Sequence, residues 1–149
     1  MCARCDVPAL LRKAGLSPTR NRLVVLSILT AASTPLSAKE IIQTLEDRPG
    51  AAMNRVTIYR ILEALVERCV LTRLACPDRV DRFCLGETPL HPEHAHFYCQ
   101  RCGSLRCLGP ERVPTEIVRR KAAQDPCCGR IEATQVLLAG ICTACLAQG

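Results

Sequence analysis

Twelve cysteines and three histidines carry most of the chemistry open to this 149-residue chain. Three cysteine pairs share a Cys-x-x-Cys spacing: Cys2 with Cys5, Cys99 with Cys102, and Cys142 with Cys145. Two intervening residues let one turn present both sulfurs to a single ion, and two such pairs complete a tetrahedral thiolate site for zinc. Cys99, Cys102, Cys142 and Cys145 are the expected set. Gly103 follows the first of these pairs, where a tight knuckle needs a permissive backbone, and Gly140 precedes the second. Their separation exceeds that of a compact zinc ribbon, so a redox dithiol and unligated thiols stay open. No pair is followed by His, which disfavours covalent haem attachment. A closed four-sulfur site leaves no position for a substrate, so its expected role is to supply folding energy.

All the histidines, His91, His94 and His96, lie just ahead of Cys99. In a strand His94 and His96 project to the same side. Cys84 upstream and Cys107 on the neighbouring strand would complete a second tetrahedron. Two nitrogens with two sulfurs suit zinc better than ferrous iron, because thiolate is a soft ligand. Two ordinary surface histidines are the plainer alternative.

The elements that must position these residues are legible from periodicity and caps. Asp6, Pro8 and Gly15 bracket a first helix. Ser17 and Pro18 open a second, with Leu23, Leu26 and Leu29 on one face. Ser37 and Glu40 fit a capping box ahead of Ile41, Ile42 and Leu45. Asn54 caps a fourth helix whose Ile58, Ile61, Leu62 and Leu65 form a stripe, leaving Val56, Tyr59, Arg60 and Glu63 outward. Two β-prone runs, 70–74 and 80–85, read as a hairpin.

Helices followed by a hairpin make a winged helix-turn-helix, whose second helix can enter a major groove; an ordinary solvated helix face is the alternative. Residues 86–93 read as a linker. Beyond it come strands at 95–98 and 104–108, a helix at 114–123 and a strand at 131–138. The expected fold is therefore α+β: an N-terminal winged helix-turn-helix domain over 1–85, a hinge over 86–93 and a small α/β domain over 94–149.

Composition agrees. Aromatics are 3% and Trp is absent, so the core must be aliphatic, which favours helices. Net charge is +6, and residues 1–83 hold thirteen Lys and Arg against eight Asp and Glu, so the basic excess sits where a polyanion would bind. The apolar run at 23–29 is far short of the roughly 20 residues that span a bilayer. With no secretory signal at its start, the chain is expected in the cytoplasm, where cysteines stay reduced and serve metals.

Along nearly its full length the chain resembles the ferric uptake regulator family of bacterial metal-responsive repressors. The resemblance runs through Gly15-Leu-Ser-Pro-Thr19-Arg-Asn-Arg22, Leu36-Ser-Ala38, Thr57-Ile-Tyr59-Arg60-Ile-Leu62, His94-Ala-His96-Phe-Tyr-Cys99-Gln-Arg-Cys102-Gly103 and Gly140-Ile-Cys142-Thr-Ala-Cys145. It implies a homodimer, formed through the second domain, on an AT-rich palindromic double-stranded DNA operator. Tyr59 and Arg60 would contact bases and phosphates, and Arg20, Arg22 and Thr57 the backbone. It also implies a structural zinc at the four cysteines and a regulatory metal at Cys84, His94, His96 and Cys107. Sulfur at two of those regulatory positions points to the zinc uptake regulator branch, with Fe2+ or Mn2+ as the alternative metal.

Pro35 and Thr72 stand where relatives sometimes carry ligands, so two metals per protomer are expected. Cys76 is a rival to Cys107. Cys69 is expected to pack at a helix end. Cys2 with Cys5, and Cys127 with Cys128, could bind a further ion or oxidise. The leading expectation is a zinc-responsive repressor and not an enzyme. An iron or peroxide sensor of the same family, a thiol redox enzyme using Cys-x-x-Cys, and a zinc-stapled protein adaptor are the alternatives.

Overall fold

The computed structural model describes residues 5–50, 53–89, 91–132 and 134–148, which fall into two units divided between His91 and Pro92. Cys2 lies outside the described residues.

In the first unit, α1 (Val7–Lys13) is capped by the Asp6 carboxylate, which accepts the Ala9 N–H at 3.0 Å. Helix α2 (Arg20–Ala31) buries Val25, Leu26, Ile28 and Leu29. Its cap residue is Thr19, whereas the sequence points to Ser17 and Pro18. The Ser17 carbonyl instead accepts from Thr19 N–H and from the Arg22 guanidinium, which makes Ser17-Pro18 a turn.

A two-residue strand β1 (Leu36–Ser37) leads into α3 (Ala38–Glu46), where Ser37 and Glu40 form the reciprocal capping box and Ile41, Ile42 and Leu45 are buried. In α4 (Arg55–Glu67) the Asn54 side chain accepts the Val56 N–H at 2.8 Å, and the expected stripe of Ile58, Ile61, Leu62 and Leu65 is buried.

The hairpin is β2 (Leu71–Leu74) and β3 (Arg82–Leu85), and β1 pairs on the other side of β3, so the sheet order is β1-β3-β2. Two residues are too few to show alternation, which is why β1 is visible only once β3 is beside it. Leu11, Leu26, Ile41, Ile58, Leu62, Leu65 and Leu71 are almost completely buried, and Phe83 and Leu85 join them from the sheet. Each such side chain contributes about 1.5–3 kcal/mol through burial.

The chain leaving the wing runs hard against the end of α4. Gly86 donates its N–H to the Val70 carbonyl at 2.9 Å, and a Cβ there would lie 2.3 Å from the Cys69 carbonyl oxygen. Cys69 itself differs from the sequence expectation. It is exposed, and it holds φ +56° just beyond the helix cap Arg68, where left-handed backbone ends a helix.

In the second unit, β4 (Ala95–Cys99) is the centre of a three-stranded sheet, antiparallel to β5 (Leu105–Leu108) and parallel to β6 (Leu137–Gly140). Helix α5 (Thr115–Ala122) lies in the connection from β5 to β6, and α6 (Thr143–Ala147) follows β6. The strand expected at 131–138 is displaced to 137–140, because only that stretch finds a ladder partner, from His96↔Leu137 to Cys99↔Gly140.

The described residues buried here are Ala95, His96, Tyr98, Cys99, Leu105, Thr115 and Cys145, which is little apolar material beside the first unit's cluster. Ile117, Val118, Leu138 and Leu146 are exposed. Among the described residues no helix is long and apolar enough to cross a membrane.

Left-handed backbone is costly for any residue with a Cβ, by roughly 1–2 kcal/mol. Cys69→Gly should therefore raise the unfolding free energy by about 0.5–1 kcal/mol, the strain relieved exceeding the added chain entropy. Urea denaturation of the two proteins checks this, and an unchanged or lower midpoint would contradict it.

Candidate functional site

Strand β4 ends at Cys99, and residues 100–103 turn back into β5. Gly103, at φ +71°, donates its N–H to the Cys99 carbonyl at 2.8 Å, and the Cys99 N–H donates to the Ser104 carbonyl at 2.9 Å. This knuckle presents Cys99 and Cys102. Parallel pairing of β6 carries the chain to Cys142, and the first turn of α6 adds Cys145. All four sulfurs lie within 4.8 Å of one another, with Cys99 to Cys145 and Cys102 to Cys142 both 3.9 Å. A tetrahedral zinc with Zn–S bonds of about 2.3 Å requires sulfurs about 3.8 Å apart.

Backbone donors tune the cage. N–H groups of Cys102 first, then Cys142 and Arg101, pull the Cys99 thiol down from 9.0 to about 6. Ser104, through its hydroxyl first, lowers Cys102. Cys145 is pushed up to about 12, chiefly by its contact with Cys142 and then by burial. Sulfurs packed this closely repel as thiolates unless a cation lies among them, so the donor set fits a divalent soft ion. The Arg101 guanidinium also donates to the Cys145 carbonyl at 2.6 Å, fastening α6 to the knuckle.

A second cluster occupies the other end of the same sheet. His96 on β4 faces Cys107 on β5 in register, and His94 just before β4 brings its ring centroid to 4.6 Å from that of His96. One donor atom from each of the three lies within 4.8 Å of the others. His94 Nδ1 donates to the Pro92 carbonyl at 3.0 Å, which leaves the lone pair on Nε2. Its pKa is raised, first by a hydrogen bond with Cys107.

His96 is only 4% exposed, and neither of its ring nitrogens has a hydrogen-bond partner. Leaving a buried polar atom unsatisfied costs about 1–3 kcal/mol, so this imidazole is poised for a metal ion.

The other two sulfurs considered for this site belong to the first unit. Cys84 is buried on β3, opposite Thr72. Cys76 is buried beside the hairpin turn, its thiol donating to the Leu74 carbonyl.

The candidate nucleic-acid face is on the first unit. Tyr59 and Arg60 are exposed on α4, and Thr57 is half-buried. Arg20 donates to the Gly50 carbonyl at 3.1 Å and Arg22 to the Ser17 carbonyl at 2.9 Å, which holds both guanidinium groups at the start of α2. One contact was not legible beforehand. Glu63, outward on α4, pairs with Arg73 of β2, and that guanidinium also lies 5.9 Å from the Phe83 ring centroid. Opposite charge was its only signal in the sequence.

A basic winged helix-turn-helix joined to a sheet that bears Cys and His clusters defines a metal-responsive transcriptional regulator. The model of the ferric uptake regulator family matches residues 13–124, and the chain belongs to that family. Family members are transcription regulators and not enzymes.

Among solved structures, the ferric uptake regulator of Vibrio cholerae is 25% identical, covers 92% of this chain and 100% of its own, and superposes with a TM-score of 0.70. The Campylobacter jejuni peroxide stress regulator is 21% identical, with 95% and 100% covered and a TM-score of 0.69. Holo XcZur is 24% identical, with 95% and 94% covered and a TM-score of 0.64. The last two are likenesses of fold. No curated protein matches the chain in sequence.

Replacing one cage sulfur, as in Cys142→Ser, should lower bound zinc by one ion per chain and loosen the second unit selectively. Elemental analysis with amide hydrogen exchange checks this. Retained zinc, or loss of protection in α3 and α4 to the same degree, would contradict it.

Proposed function

We propose that this chain is a zinc-responsive repressor that binds a palindromic operator as a homodimer. The observation that carries the reading is His96, buried with both nitrogens unsatisfied and facing Cys107 across the ladder, with His94 alongside. Cys84 supplies the fourth donor, from the other side of the hinge at 86–93. Two sulfurs among four donors favour zinc over iron or manganese. A bound Zn2+ would supply a tetrahedral cross-link between donors that belong to different units. The four-cysteine cage would hold a second, structural zinc.

The chain's own residues do the rest. Cys84 sits on the last wing strand, so fastening it restrains the unit that carries Tyr59 and Arg60. Those two side chains reach into the groove, while Arg20, Arg22 and Thr57 hold phosphates and set the register. Exposed Ile117 and Val118 on α5 and Leu138 on β6 support burial against a second copy. A cytoplasmic location, with DNA and reduced thiols at hand, suits this chemistry.

Metal and operator binding are then linked, with a coupling of about 1–3 kcal/mol, or about 5- to 150-fold in affinity. His96→Ala should remove that gain in a gel-shift titration with zinc while leaving the cage zinc in place. Full operator affinity in the variant, or in wild type with only the cage filled, would refute the reading. Response to ferrous iron but not zinc would move it to the iron or peroxide branch. Arg20→Ala should weaken all DNA sequences alike and reduce the salt-dependence slope by about one. A sequence-selective loss would contradict a phosphate contact.

A further inference from the structure

After α5 the chain turns through Asp125-Pro126-Cys127-Cys128-Gly129, beyond the residues that the family model matches. The Asp125 carboxylate accepts the Cys127 N–H at 2.9 Å, and its backbone carbonyl accepts the Cys128 N–H at 3.0 Å. This double hold fixes two adjacent residues so that both sulfurs point the same way, 3.9 Å apart.

That separation equals the Cys99–Cys145 and Cys102–Cys142 distances in the four-cysteine cage, and it approximates the edge of about 3.8 Å that a tetrahedral ion with 2.3 Å metal–sulfur bonds demands. Neighbouring side chains in a peptide normally diverge, so the turn has done the work of aligning a chelate. Cys127 is exposed and Cys128 half-buried, so the pair is reachable from solvent.

We infer that Cys127 and Cys128 form a third, exchangeable site for a soft divalent cation, separate from the cage and from the His94–His96–Cys107 cluster. Binding releases both thiol protons, and two thiolates neutralise the double positive charge. Asp125 at the base of the turn adds negative field without being needed as a ligand. Two protein donors leave the remaining coordination positions to water or to an incoming ligand, so the ion exchanges, in contrast to the closed cage. The site is a surface port at which the chain accepts or hands over a thiol-seeking ion.

The test uses the full chain carrying its zinc, titrated with Cd2+ alone under reducing conditions and compared with Cys127→Ser and Cys128→Ser. Wild type should bind one more Cd2+ per chain than either variant, and cadmium should shield both thiols from iodoacetamide. Both substitutions lie in an exposed turn, so zinc content should be equal in all three proteins, which confirms that the cage is intact. Equal cadmium stoichiometry in the three proteins would overturn the inference. So would unaltered alkylation of Cys127 and Cys128 in loaded wild type, or recovery of the pair as an internal disulfide that takes up no cadmium after reduction.

Discussion

Among its described residues, the second unit buries little apolar surface within itself. Tyr98 and Leu105 are its large buried hydrophobics, with Ala95, Cys99 and Cys145 buried beside them. Small units of this kind need a staple. The four cysteines lie where a bound ion would supply one, joining the end of β4 to the segment that follows β6 across the parallel pairing of those strands. The knuckle at 100–103 returns β4 into the antiparallel β5, and that register sets His96 against Cys107.

This arrangement separates two kinds of metal chemistry on one sheet. At one end, backbone N–H groups of the knuckle stabilise thiolate at Cys99, and every donor is sulfur. At the other end the donors are two imidazoles and a thiol, and one imidazole is buried with no protein partner. A closed sulfur cage holds its ion as part of the fold, whereas an unsatisfied buried histidine leaves free energy to be gained when an ion arrives. The two clusters differ in the chemistry of their donors, four sulfurs in one and imidazole with sulfur in the other.

The first unit was largely legible because its signals are local. The Ser37–Glu40 box, the Asn54 cap and the stripe of Ile58, Ile61, Leu62 and Leu65 each lie within one or two helical turns, and each formed as expected. The differences arise from neighbours that residue patterning does not reveal. Strand β1 exists because β3 lies beside it, Thr19 caps α2 because Ser17 is engaged in a turn, and β6 begins where β4 offers a partner. Cys69 was misjudged because a hydrophobic residue at a helix end can close the helix with left-handed backbone in place of packing.

The sequence by itself determined the donor inventory: four cysteines in two knuckles, two histidines one residue apart, and a basic amino-terminal half with an outward Tyr59 and Arg60. Those are statements about spacing, and spacing survives without coordinates. Only the tertiary structure decided that Cys107 is in register with His96, that neither ring nitrogen of His96 finds a hydrogen bond, and that the sulfurs of Cys127 and Cys128 lie together. Ladder register and burial arise from contacts between segments apart in the chain, and the direction of side chains in a turn from backbone angles that residue spacing does not encode.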